Sequence, residues 1–201
     1  MRKFALSLAV LALVAAPAFA GKYNKAVSVG DKAPDISGIP AVENGVDKSL
    51  TLSDIKEDVV VVVFLANHCP VVVGYEDRLI DFTKDYKEKG VKVVGVAVST
   101  MEGDKIPGIK AYMSEKKSNY IYGYDESQAI GKAYGASNTP QFFVLDKERK
   151  IRYTGAMDDS PPREDKVTKT YLRDALDAVL KGETVAVDET RPQGCGVSYK
   201  R

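Results

Sequence analysis

The sequence predicts an α/β sandwich, and three neighbouring segments carry that reading. Val59 to Leu65 is a nearly continuous β-branched run, the pattern of a strand buried on both faces. After it, apolar residues fall at Val72, Tyr75, Leu79, Phe82 and Tyr86, intervals of three and four that mark an amphipathic helix. Val91 to Val98 reads as the next buried strand, so the order is that of a parallel, right-handed strand–helix–strand crossover.

The flanking elements follow in turn. Gly21 to Ala26 reads as a frayed lead-in, and Val29 to Asp35 as a turn-rich approach punctuated by Gly30 and Pro34. Ser49 to Ile55 leads into the first strand. Pro70 suits the first turn of the helix, where a missing N–H costs nothing, and Gly90 suits its end. Ile106 to Lys116 reads as a second helix and Tyr120 to Tyr122 as a short strand. Asp125 followed by Gln128 has the spacing of a capping box for a helix running to about Tyr134, closed by Gly135. Gln141 to Leu145 and Ile151 to Thr154 read as two strands joined by the charged turn Asp146 to Lys150. A last helix presents Tyr171, Leu172, Ala175, Leu176, Val179 and Leu180 on one face and stops at Gly182. From about residue 183 to Arg201 the chain is a tail without clear periodicity.

With 201 residues, 44% of them hydrophobic, the chain suits one domain with a real core. Residues 1–20 stand apart from it. Arg2 and Lys3, the apolar run Phe4 to Ala16 and the small-x-small site Ala18-Phe19-Ala20 have the layout of a secretory signal peptide. The run is too short for a stable membrane anchor, and no cysteine follows the site to accept a lipid. The expectation is a secreted or periplasmic domain of residues 21–201, cleaved near Ala20. Without Arg2 and Lys3, the 29 basic side chains become 27 against 28 acidic, a balance of −1. Such a charge gives no reason to expect a nucleic-acid partner. No Gly-rich phosphate loop follows a strand, so no organic cofactor is expected.

Two cysteines, Cys69 and Cys195, and one histidine, His68, hold the sequence's clearest chemistry. They make a poor metal site, since structural zinc wants four N/S ligands. The segment Leu65-Ala66-Asn67-His68-Cys69-Pro70 falls where a buried strand ends and a helix begins. There, unpaired N–H groups and the helix dipole favour the thiolate, which is the reactive form. Three readings of Cys69 stand together: a reactive thiol, a structural bridge to Cys195, and an inert buried thiol. His68, beside the sulfur, either favours the thiolate or moves a proton, or has a capping or solvent-exposed role instead.

Asn67-His68-Cys69-Pro70, followed by Tyr75 to Leu79, resembles the active-site region of redoxins, the alkyl hydroperoxide reductase/thiol-specific antioxidant relatives of thioredoxin. So do Tyr134 to Phe143, Gly30 to Pro34 and Thr190 to Cys195. The similarity runs from about Val27 to the end and looks like the peroxiredoxin-like branch. It implies a thioredoxin fold, a central mixed β-sheet flanked by helices, with Pro140 as its cis-proline. It also implies that Thr139 and Pro140 contact substrate, pairing with an extended chain near the sulfur. Relatives often carry Cys-x-x-Cys, and on that comparison Ala66 stands where the first cysteine would be. Ala66 is also the place of a peroxiredoxin's threonine, and no carboxylate interrupts Val59 to Val63.

Two functions follow as expectations. One is an exported thiol-disulfide oxidoreductase or peroxiredoxin-like antioxidant, with Cys69 as the reacting thiolate, Cys195 as the resolving thiol and His68 assisting. Its partners would be a thiol or peroxide substrate, exported proteins or a thiol reductant. The other is a non-catalytic thioredoxin-fold module that binds extended segments beside Pro140, with Cys69–Cys195 as a structural disulfide. A metal chaperone is disfavoured because soft ligands are scarce.

Overall fold

The computed structural model describes residues 21–161 and 163–200; the expected signal peptide lies outside the described residues. In chain order the elements are β1 (Ile39–Glu43), β2 (Val46–Leu50), β3 (Val59–Leu65), α1 (Pro70–Lys87), β4 (Val91–Ala97), α2 (Ile106–Lys116), β5 (Ile121–Tyr124), α3 (Ala129–Tyr134), β6 (Asn138–Thr139), β7 (Gln141–Leu145), β8 (Ile151–Gly155), α4 (Tyr171–Leu180) and β9 (Cys195–Gly196). Seven strands form one sheet in the order β2-β1-β5-β4-β3-β7-β8. β3, β4 and β5 run parallel, whereas β7, β8, β1 and β2 join antiparallel. The sheet is mixed and flanked by helices, as expected.

β3 lies at its heart because every residue in it is buried. Strand side chains alternate between faces, and the core divides accordingly. Val59, Val61, Val63 and Leu65 join the layer under α1, α2 and α4, with Tyr75, Leu79, Phe82, Ile109, Leu172 and Leu176. Val60, Val62 and Phe64 join the opposite layer, with Ile36, Tyr134 and Phe143. In that layer Phe64, Tyr134 and Phe143 form an aromatic triangle with ring centroids 5.1–5.8 Å apart. Of the five periodic apolar residues expected on α1, all are buried.

Four local readings change. Residues 21–26 are not frayed: the Glu189 carboxylate accepts the N–H groups of Lys22, Tyr23 and Asn24 at 2.5–2.7 Å, and Asn24 is buried. A hairpin, β1–β2, precedes the first expected strand. Its two-residue turn is Asn44-Gly45, with φ of 51° and 77°, the left-handed pair that this dipeptide favours in tight hairpins. Asp125 caps α3 without Gln128: its carboxylate accepts the N–H of Ile130 at 2.8 Å, and the Ser127 hydroxyl accepts that of Ala129 at 3.1 Å. Gln128 turns its amide elsewhere. Finally, the tail ends in a strand: β9 pairs antiparallel with β6, Asn138 opposite Gly196 and Thr139 opposite Cys195.

Glu76, buried on α1, accepts hydrogen bonds from Ser118, Tyr120 and Tyr112. Burial nonetheless raises its carboxyl above the ordinary 4.5, with the Ser118, Tyr120 and Tyr112 hydroxyls pulling the other way. A raised folded-state value means that stability is full below the unfolded pKa and is lost as pH rises through the folded one. Glu76→Gln should therefore flatten the fall in stability above pH ~4.5, measured by denaturant unfolding across pH 4–8. Phe64→Ala should cost about 3–5 kcal/mol in the same assay by emptying the aromatic triangle.

Candidate functional site

The parallel strands end together at one edge of the sheet, and three chain segments meet there. The first is the turn from β3 into α1. Cys69 is the residue before α1, with extended backbone, and its N–H donates to the Ala66 carbonyl at 3.0 Å. Pro70 opens the helix. The second segment is the turn before β7, where the Thr139–Pro140 peptide bond is cis. Cys69 Sγ donates to the Thr139 carbonyl at 3.2 Å. The third is β9, which lies along β6 and sets Cys195 opposite Thr139. Cys69, Thr139, Pro140 and Cys195 are thus one cluster.

Both cysteines are in the thiol form, Cys69 fully buried and Cys195 half-buried. Burial opposes ionisation of Cys69. The Cys195 thiol, the N–H groups of Val72 and Cys195 and the Thr139 side chain outweigh that penalty, and hold the Cys69 thiol below its ordinary value. The helix start supplies part of this, since the Val72 N–H is one of its unpaired donors. Cys195 moves the opposite way: burial, the hydrogen bond to Cys69 and the charge that develops there push it up to about 11. Of the two thiols, Cys69 is the one held below its ordinary value and Cys195 the one held above.

His68 is turned away from this exchange. Its Nδ1 lies 2.5 Å from a carboxylate oxygen of Asp104, a residue with no exposed surface, while the imidazole is 41% exposed. Asp104 also accepts the Asn67 N–H at 2.5 Å, and the Asn67 amide donates to the Gly103 carbonyl at 2.6 Å. Sequence reasoning missed Asp104, which ends a single 3-10 turn (Glu102–Asp104) after β4 and carries no local signal. It also missed Gln128, whose spacing after Asp125 suggested a different role. Next to the cluster is a cavity of about 170 Å³, lined by His68, Ser99, Met101, Thr139 and the tail residues Gly196 and Ser198 among others. Among the described residues, no group of three or more His, Cys, Asp or Glu side chains is placed to hold a metal ion.

The site defines a two-cysteine protein with one thiol at the start of a helix and a cis-proline turn beside it. The redoxin family model matches residues 28–172. This chain belongs to the redoxin family, with a thioredoxin fold. It is 32% identical to an uncharacterized conserved protein from Geobacillus kaustophilus, whose solved structure superposes with a TM-score of 0.79 over 86% of this chain and 93% of that one. A hypothetical protein from Sinorhizobium meliloti 1021 is 31% identical, with a TM-score of 0.78 over 88% of this chain and 97% of that one. Among characterised relatives, the thiol-disulfide oxidoreductase ResA of Bacillus subtilis (strain 168) is 26% identical over 168 residues, 83% of each chain. The family match does not single out the peroxiredoxin branch. Among the described residues, no helix is long and apolar enough to cross a membrane.

One expectation is overturned. A thiol-dependent oxidoreductase built on a Cys-x-x-Cys whose first cysteine has become Ala66 does not describe this chain. Its two cysteines, 69 and 195, lie far apart in sequence and in no such spacing. Ala66 is a buried core residue just past β3, whose carbonyl serves the turn into α1. The partner that the fold brings to Cys69 comes from the far end of the chain.

The opposite shifts of the two thiols give a measurable signature. In the reduced protein, a titration of ¹³Cβ-labelled cysteine followed by NMR should show Cys69 ionising below the ordinary thiol range and Cys195 only near pH 11. Cys195→Ala should raise the Cys69 value, because the hydrogen bond from the Cys195 thiol does most to favour the thiolate.

Proposed function

We propose that this chain is an exported redoxin-fold binding module in which Cys69 and Cys195 close a structural disulfide across the Pro140 turn. The observation that supports the reading is the pairing of Thr139 with Cys195. It brings the Cys195 thiol within hydrogen-bond reach of a Cys69 that already contacts the Thr139 carbonyl. Closing the bridge removes two protons and two electrons from the thiols, and the electrons pass to an external disulfide by exchange. An exported compartment is where such a bond persists. The partners of the module are extended segments of exported proteins and the thiol reductants that meet them. The burial of Cys69 weighs against direct attack on a dissolved peroxide, which needs a reachable thiolate.

The bridge would close a loop of about 127 residues, worth about 4–5 kcal/mol on the chain-entropy model. Mild oxidation with glutathione disulfide should yield a linked 69–195 peptide in mass-spectrometric mapping. It should also raise Tm by roughly 10 °C over the reduced protein. Cys69→Ser and Cys195→Ser should each abolish that redox-dependent difference. Failure to recover the linked peptide defeats the reading.

A further inference from the structure

The last residues of the chain are received by a purpose-shaped seat, and every group of that seat comes from α3, β6 or their immediate flanks. Gly194 leads in, with φ +147° and so close to β6 that a Cβ there would stand 2.0 Å from the Thr139 carbonyl oxygen. The Asn138 amide donates to the Gly194 carbonyl at 3.0 Å, and the Val197 N–H donates to the Ser137 carbonyl at 2.9 Å. Tyr199 donates to the Ala136 carbonyl at 2.6 Å and packs over Gly131, where a Cβ would fall 2.8 Å from the phenol oxygen.

Gln128 is the most specific part of the seat. Its side chain is buried, and its backbone is left-handed at φ 60°, an uncommon conformation for a residue other than glycine. The amide nitrogen donates to the Val98 carbonyl at 2.6 Å and to the Ser198 carbonyl at 2.9 Å. The amide oxygen accepts the Lys200 N–H at 2.7 Å. One side chain thereby grips the tail backbone through both a donor and an acceptor, as a neighbouring strand would.

Cys69, without exposed surface, is contacted by Cys195 of this segment. Gly196, Val197 and Ser198 also form one wall of the cavity beside His68. Removing the segment would open that cavity and uncover the edge of β6 together. The ladder that holds it is only two residues long.

We propose that residues 194–200 are a gate over Cys69 and the β6 edge, clasped by Gln128 and locked when Cys69 and Cys195 are joined. The lock rests on the disulfide assigned above; the gate itself does not. Opening needs an external dithiol. Its thiolate attacks Cys195 Sγ, the half-buried sulfur, breaks the S–S bond and forms a mixed disulfide. Cys69 leaves as the thiolate, the form that its surroundings favour. The second thiol of the reductant then attacks its own sulfur in the mixed disulfide and releases Cys195. The reductant ends as a disulfide, and the chain gains two electrons and two protons. The segment is then held by noncovalent ties alone and is free to swing out.

The test uses the mature chain, reduced with dithiothreitol or oxidised with glutathione disulfide. Hydrogen exchange in peptides covering 194–200 should be at least about tenfold faster in the reduced form, with β3 unchanged. In the reduced form, N-ethylmaleimide should modify Cys69 several-fold faster in Gln128→Ala than in the parent. Gln128→Glu, which keeps the acceptor for Lys200 but loses the donor to Ser198, should fall between them. A chain ending at Gly196, which keeps the Cys195 thiol beside Cys69 but loses the ties of Val197, Ser198, Tyr199 and Lys200, serves if Gln128→Ala does not fold. Equal Cys69 modification rates in the parent and the shortened chain would overturn the gate. If no 69–195 linkage forms, the disulfide reading fails and the lock with it, while the alkylation comparison still decides whether the tail gates Cys69.

Discussion

A strand with apolar side chains on both faces fixes its own depth, because neither face can be turned to water without exposing a row of valines. β3 is that strand here, and the rest of the molecule is arranged around the need to cover it. α1, α2 and α4 cover one face; the approach to β1 and the α3 region cover the other. Since β3 is fixed, the place where it ends is fixed too. Cys69 sits just beyond that end, at the first turn of α1, where the backbone has N–H groups to spare. The sulfur's position at the helix start therefore follows from core packing.

The second constraint is the way the tail completes the site. In the fold without its last residues, the Cys69 sulfur would keep Thr139 and the helix start as its polar partners. β9 adds the Cys195 thiol and N–H, the two contributions that do most to tilt the proton balance with the Val72 N–H. In the proposed gate, the same residues that favour the thiolate also cover it.

How much of this was legible in the sequence depends on how far apart the interacting residues lie. β3, α1, β4, β7, β8 and α4 were readable because each is marked by its own periodicity, and α1 buries the five residues expected. Cys69 at the helix start was readable for the same reason. The β1–β2 hairpin is signalled only by Asn44-Gly45, because its strands are short and β2 is largely exposed, with no apolar alternation to mark it. β9 has no pattern at all: two residues cannot show one, and its partner lies on β6. Gln128 was read as a local cap because its spacing from Asp125 fits one. Its real partners, Ser198 and Lys200, are distant in sequence, and no local rule finds them. Asp104 escaped notice likewise, being defined only by its contacts to Asn67 and His68.

The two margins of the main sheet are finished in different ways. β2 ends one side with exposed Asp47 and Lys48, charges that discourage a foreign strand from adding there. On the other side, Thr154 of β8 is engaged by the main chain of Asp188 and Thr190, so that rim is already taken. Asp188 and Thr190 belong to the run that continues to Cys195 and the gate. The same terminal stretch thus also acts as a selvedge, sealing the fabric against fraying into intermolecular aggregates. A chain clipped before residue 188 would forfeit colloidal solubility as well as its cover over the thiol.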